Sequence, residues 1–340
     1  MTYLGVICVA LAGLLIGSGA WPMKLMRRFS FEHWWFVAMS LALLIIPWAS
    51  TLLLCPEPLA AYGTVPVWVL VKSNLFALGW GVATILVGIC FVRIGVALTG
   101  AITTGLGVSA GVTLPLIMKG TGLFSDAPDI TSRAGLTILS GVAVMLIGVA
   151  LVAAAGFGRD RVQQTTEHYS GGFALSLLMC VIAGVLSSGM GLSFVYCQGP
   201  IVEAMKARGA ADIPANLAVW AGGIFAAAVL NVIYPAYLMT RHRSWNVLAE
   251  SRRELGLSSI IGVTFVLGIT LTGRGMLLLG ALGGSVGFGI QQASQMIGNQ
   301  GLGFISGEWR GVHGRPRNQM LIAIGILILA AVIMACGNTP

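Results

Sequence analysis

The chain has 340 residues, of which 57% are hydrophobic and only 9% charged, with a formal net charge of +8. A soluble domain carries about 25% charged residues, which cover its surface, so this composition excludes an ordinary soluble enzyme and a disordered chain. The positive residues are scattered in short loops, with no long run of like charge and no basic tail, which excludes a nucleic-acid footprint.

Apolar stretches fall at about 2–22, 33–54, 67–92, 95–118, 135–156, 171–196, 215–239, 257–278, 283–305 and 319–337. Each is long enough for a helix that crosses a bilayer, which takes about 20 residues. Helix is the expected state, because lipid offers no partner to open backbone groups. The period-two alternation of an outer-membrane barrel is absent. The expected class is therefore an all-α membrane protein with ten transmembrane helices, and its 47 glycines suit helices that pack closely in lipid. The first stretch lacks a positive leader and a small-residue cleavage site, so it reads as a retained helix.

Polar residues inside these stretches are the candidates for function, because lipid drives them toward the bundle interior or a wet cavity. Trp21 precedes Pro22 near the inner end of the first helix, as an interfacial anchor or a site residue. Lys24 and Glu32 flank the first loop, as solvated, paired charges or as a gate. Trp80 lies near mid-helix in the third stretch, with Thr84 one turn below on the same face. Stacking on a ligand competes with packing for Trp80, and a back-bond to its own helix competes with ligand contact for Thr84. Ser187 and Ser188 sit beside Gly189 in the sixth stretch, where small residues also let helices approach. Glu203 follows Pro200 at the outer end of that helix, and Asn231 is isolated in the seventh. The ninth carries Gln291, Gln292, Gln295 and Asn299, and Glu308 closes its inner end. Interhelical hydrogen bonding is the structural alternative for these amides.

The six cysteines form no CxxC pair and no cluster with histidine, so no metal site and no cofactor are expected. Buried apolar packing is their plain reading, with a Cys55–Cys197 bridge left open near the outer ends. The four histidines lie in or beside the loops assigned below to the cytoplasm. No HExxH, Walker loop or GxSxG occurs, so the chain does not read as an enzyme.

Loops after odd-numbered helices hold thirteen Lys and Arg, against six after even-numbered ones. The positive-inside rule places the richer set in the cytoplasm and both termini on the outer side. Ala12-Gly13-Leu14-Leu15 recurs as Ala183-Gly184-Val185-Leu186, and the stretch 146–156 recurs at 327–337. The offsets of 171 and 181 suggest a five-plus-five repeat. Five is odd, so the second copy enters the membrane from the opposite side, the inverted repeat of many secondary transporters. The expected division is 1–156 and 171–340, joined by a polar cytoplasmic loop at 157–170 within one membrane domain.

Specific residues then resemble the L-rhamnose–proton symporter family, within the drug/metabolite transporter superfamily. Trp21-Pro22-Met23-Lys24 with Phe29-Ser30-Phe31-Glu32 is similar to the stretch after that family's first helix, and Ile46-Pro47-Trp48-Ala49 to its second. Trp80-Gly81, Gly88, Arg93 and Gly95 keep the spacing of its third and fourth helices. Ser187, Gly189 and Met190 match its sixth, and Gly307-Glu308-Trp309-Arg310-Gly311 the end of its ninth. The resemblance implies ten helices in a bacterial inner membrane and import of L-rhamnose or a related sugar with a proton. Thr84 and Leu86 stand where some members carry amides, and the ninth helix has amides of its own, which points to a different hydroxyl pattern on the ligand. For a sugar, amides and hydroxyls replace water and an aromatic ring covers the apolar face. The rival readings are an exporter of drugs or metabolites on the same fold and a non-transporting membrane-bound binding subunit.

Overall fold

The computed structural model describes residues 2–94, 96–119, 128–162, 173–280 and 286–336. Among them the chain is helical, with no strand. Each apolar stretch contains one helical segment: α1 Thr2–Ser18, α2 Phe31–Leu54, α3 Val67–Ile94, α4 Val96–Met118, α5 Arg133–Val162, α6 Ala174–Lys206, α7 Asp212–Gly223 with Phe225–His242, α8 Arg252–Leu279, α9 Phe288–Ile305 and α10 Arg315–Cys336. Seven helices are long and apolar enough to cross a membrane, and eight when the two pieces of α7 count as one span. The apolar part of α4, Ile102–Met118, is short, and five amides dilute α9.

Helix ends follow local chemistry. Ser30 and His33 form a reciprocal cap at the start of α2, with Ser30 Oγ 2.8 Å from His33 Nδ1. Ser251 accepts from the Glu254 N–H at the start of α8. α5 runs on to Val162, so the first part of the expected 157–170 linker is helix, with Arg159 and Arg161 in the last turn where cations meet the C-terminal dipole. Gln163, Gln164, Glu167 and His168 lie outside the described residues.

Three segments are interrupted. A π turn at Ser40–Ile45 precedes Pro47 in α2, which absorbs a residue with no N–H to donate. α6 breaks at Ser188, ahead of Gly189. α7 carries a π turn at Val219–Gly223 and bends by 64° at Ile224.

The segments pack as a bundle in which α1 lies on α8 and α9, α6 on α3 and α4, and α5 on α10, while α2 meets α7 and α8 and α3 meets α7. Glycine sets the closest crossings. A Cβ at Gly13 would lie 2.2 Å from the Gln291 carbonyl oxygen, one at Gly17 2.0 Å from that of Gln295, and one at Gly189 2.1 Å from that of Phe76. Backbone thus meets backbone where α1 crosses α9 and α6 crosses α3.

Candidate functional site

The bundle centre holds a narrow cavity lined by Gln291, Thr272, Trp220, Phe194, Met276 and Phe288, among others. It has room for about one water molecule. Gln291 is fully buried there, and its Nε2 lies 3.4 Å from Gln295 Oε1, one turn further along α9. Gln292 and Gln295 are half-buried and Asn299 is exposed. The ninth-helix amides therefore divide, with Gln291 alone fully inside.

A second polar cluster lies between α2, α3 and α7. Asn231 Oδ1 is 3.2 Å from Trp35 Nε1 and 3.2 Å from Thr84 Oγ1, and its Nδ2 donates to the Ala227 carbonyl at 2.9 Å. Thr84 also lies 2.8 Å from the Gly81 carbonyl, a back-bond to its own helix. The structure brings Thr84 and Asn231 together, with Trp80 half-buried against the core one turn away, and adds Trp35. Ser187 and Ser188 each donate to a carbonyl of their own helix, Gly184 and Val185, at 2.7 Å.

The break in α7 is closed by side chains from elsewhere. Asn74 of α3 donates to the Gly222 carbonyl at 2.9 Å and accepts from the Ala226 N–H at 2.8 Å. Ser193 of α6 donates to the Gly223 carbonyl at 3.1 Å. Tyr62, in the short helix Pro58–Thr64 after α2, donates to the Ala218 carbonyl at 2.6 Å, and burial pushes its hydroxyl well above the ordinary tyrosine range, which keeps it a donor. Gln198 of α6 donates to the Gly273 carbonyl of α8 at 2.9 Å. Asn74, Trp35, Tyr62 and Gln198 were not singled out from the sequence. The signal for Asn74 was present, as an amide inside an apolar stretch; Gln198 falls just past the end of the sixth stretch.

The end of the bundle expected in the cytoplasm is held by charge. Glu308 pairs with Lys24 from the loop after α1 and, at 3.0 Å, with Arg159 from the end of α5. Lys24 also reaches Ser306 at 2.5 Å, and Arg159 lies over the Trp309 ring, 5.6 Å from its centre. Beside this, buried Glu32 meets His242 at 3.1 Å, and His33 Nε2 lies 3.1 Å from both the carbonyl and the hydroxyl of Ser244. Buried Glu254 accepts from the backbone N–H groups of Arg27, Arg28 and Phe29 at 2.6–3.1 Å. Ser251 and Glu254 have the spacing of a capping box, but the carboxylate reaches another loop instead. Trp21 and Glu203 are exposed. At the other end Arg208 pairs with Glu57. Cys55 and Cys197 are buried and unbridged. Among the described residues no group of three His, Cys, Asp or Glu side chains could hold a metal ion.

A profile of the L-rhamnose-proton symport protein family matches residues 3–339. The L-rhamnose-proton symporter of Salmonella gallinarum is 25% identical over 332 residues, which covers 94% of this chain and 93% of that protein. Those of Citrobacter koseri and Yersinia pestis are each 24% identical over 330 residues, 93% of this chain and 92% of theirs.

Proposed function

The chain belongs to the L-rhamnose-proton symport protein family, and from that premise we propose that it imports L-rhamnose or a closely related sugar with a proton across a bacterial inner membrane. The observation that carries this reading is the family match along almost the entire chain. The ten segments act as spans of a five-plus-five inverted repeat, 1–156 and 171–340, with both termini outside and alternating access between the halves. The packing supports the repeat. Exchanging α1–α5 with α6–α10 turns the α1–α9 contact into α6–α4, α1–α8 into α6–α3, α2–α8 into α7–α3 and α4–α5 into α9–α10, all of which are present. α2 and α7 both contain a π turn. Gly13 lies against α9, while its repeat equivalent Gly184 lies against α4.

Gln291 is the centre of the substrate site in this reading, with Gln292, Gln295, Trp80, Thr84 and Asn231 around the route to it. Ser187, Ser188 and Asn299 stand further from ligand contact, as their own-helix bonds and exposure indicate. The proton leaves through the cytoplasmic rim, where Glu32 and Glu308 stand; every described acidic residue lies at a helix end or in a loop. Glu32 beside His242 and Glu308 between Lys24 and Arg159 are its carriers or gates; Glu203, at the outer end with no side-chain partner among the described residues, is the weaker candidate.

Uptake of radiolabelled L-rhamnose into proteoliposomes tests the function. Accumulation driven by an inward proton gradient and abolished by a protonophore is expected, and no gradient-dependent uptake of L-rhamnose or of other deoxysugars and hexoses would overturn the reading. In intact cells, an impermeant maleimide is expected to reach Cys336, the one exposed cysteine among the described residues; labelling only after the membrane is opened would reverse the orientation.

The inner gate makes a separate prediction. Glu308→Gln removes the anion that joins Lys24 to Arg159. Partly exposed pairs contribute about 0.2–1 kcal/mol each, so closure weakens several-fold without loss of the fold. Hydrogen exchange read by mass spectrometry should quicken several-fold at residues 21–29 and 303–312. Wild-type exchange rates there would remove Glu308 from the gate.

A further inference from the structure

We propose that Trp220, Thr272 and Gln291 form the subsite that grips the sugar's hydroxyls, with Phe194, Met276 and Phe288 as its apolar wall; this rests on the sugar-transport reading above. Three atoms carry the argument. Trp220 Nε1, Thr272 Oγ1 and Gln291 Oε1 are buried and have no hydrogen-bond partner within the protein. Their residues come from α7, α8 and α9, are 2%, 4% and 0% exposed, and line one cavity. A buried polar atom without a partner destabilises a fold, and three of the ten such atoms among the described residues belong to residues that line one hollow. Asn74, Gln198 and Asn231 bond to groups of the protein itself, whereas the buried Asn216 amide, packed on Gly273 outside this cavity, is also without a partner.

The chemistry of the three atoms suits a polyol. The indole N–H only donates, the amide oxygen only accepts, and the threonine hydroxyl does either. Sugar hydroxyls, each both donor and acceptor, satisfy all three. The Phe288 ring supplies the flat surface that an apolar sugar face needs, and it is held rigidly. A Cβ at Gly111 of α4 or at Gly191 of α6 would lie 2.5 or 2.6 Å from that ring, so two glycines clamp its sides. The cavity is too small for a pyranose. The helices must part to admit one, and Trp220 sits in the π turn of α7, beside the 64° bend where such movement is easiest.

Binding of tritiated L-rhamnose to the purified full-length protein in lipid nanodiscs tests this, with Trp220→Phe, Thr272→Val and Gln291→Leu compared to wild type. Each change removes hydrogen-bonding atoms and keeps most of the shape. The expected result is a Kd raised at least about fivefold in each variant, with sugar-free melting temperatures of Trp220→Phe and Thr272→Val equal to or above wild type, because an orphaned polar atom has been removed; Gln291→Leu also loses its contact with Gln295 and is read by its Kd. Lowered melting temperatures in Trp220→Phe and Thr272→Val would mean that the groups support the fold, and would overturn the proposal. Kd values within about twofold of wild type would also overturn it, while leaving sugar transport standing. A wild-type protein that binds no L-rhamnose would overturn the transport reading itself and this subsite with it.

Discussion

Gly17→Val is expected to leave no transport-competent protein. The new Cβ would stand 2.0 Å from the Gln295 carbonyl oxygen and 3.0 Å from the Asn299 nitrogen. Both are backbone atoms of α9, so no rotamer relieves the clash and one helix must move bodily away from the other. The movement also undoes the crossing at Gly13 and at Gly298, where a Cβ would lie 2.7 Å from the Leu14 carbonyl oxygen. In lipid, helices are held together mainly by such packing. Overpacking by one or two methyl groups costs about 1–3 kcal/mol even in cores that can adjust, and stability totals only about 5–15 kcal/mol. The crossing also positions the α9 backbone that presents Gln291. Fluorescence-detected size exclusion in detergent should show aggregated or missing protein, and cells should take up no sugar. Gly325→Ala is the control, because nothing lies within 4 Å of a Cβ there; alanine also favours the helix, and wild-type behaviour is expected. A Gly17→Val protein that elutes as a single peak and melts like wild type would refute the close crossing.

Asn74→Leu is expected to unlock the break in α7. The asparagine amide is the shared partner of the Gly222 carbonyl and the Ala226 N–H, two backbone groups stranded on either side of the bend at Ile224. Leucine has similar bulk but can satisfy neither. Each buried group left without a partner costs about 1–3 kcal/mol, so the pair loses about 2–6 kcal/mol. Ser193→Ala removes a single bond to the next carbonyl, Gly223, and should cost about 1–3 kcal/mol. The ordering wild type, Ser193→Ala, Asn74→Leu in melting temperature is the expected series. Equal melting temperatures for Asn74→Leu and wild type would show that the bend holds itself.

Both predictions concern features that were only half legible in the sequence. Gly13 and Gly184 stood out as equivalent positions of a weak internal repeat, but nothing in either stretch named α9 and α4 as the surfaces they meet. Pro47 hinted at an irregular α2, whereas the π turn and bend of α7 had no proline inside them to announce it. Ser187 and Ser188 read as packing residues first and ligand contacts second, and their hydroxyls lie against carbonyls one turn back. Glu254, which the sequence did not single out, anchors the first loop. Lys24, Glu32 and Glu308 were recognisable as loop charges, but the pairs they form, Arg159 with Glu308, Glu32 with His242 and Lys24 with Glu308, span 149, 210 and 284 residues of chain.

The sequence by itself determined the class of protein, the apolar segments and the asymmetry of positive loops. Each of these depends on a segment's own transfer between water and lipid, a local quantity that sums along the chain. Family membership is likewise legible in ordered short motifs. Only the tertiary structure decided which polar atoms are used up by the fold and which are left over. Apolar helices in lipid have no solvent face to betray their orientation, so Asn231 and Gln291 look alike on paper. One finds Trp35 and Thr84 on neighbouring helices, while the carbonyl of the other has no partner and its residue lines a hollow with Trp220 and Thr272. That difference is made by contacts between helices far apart in the chain, and close packing, not composition, sets them.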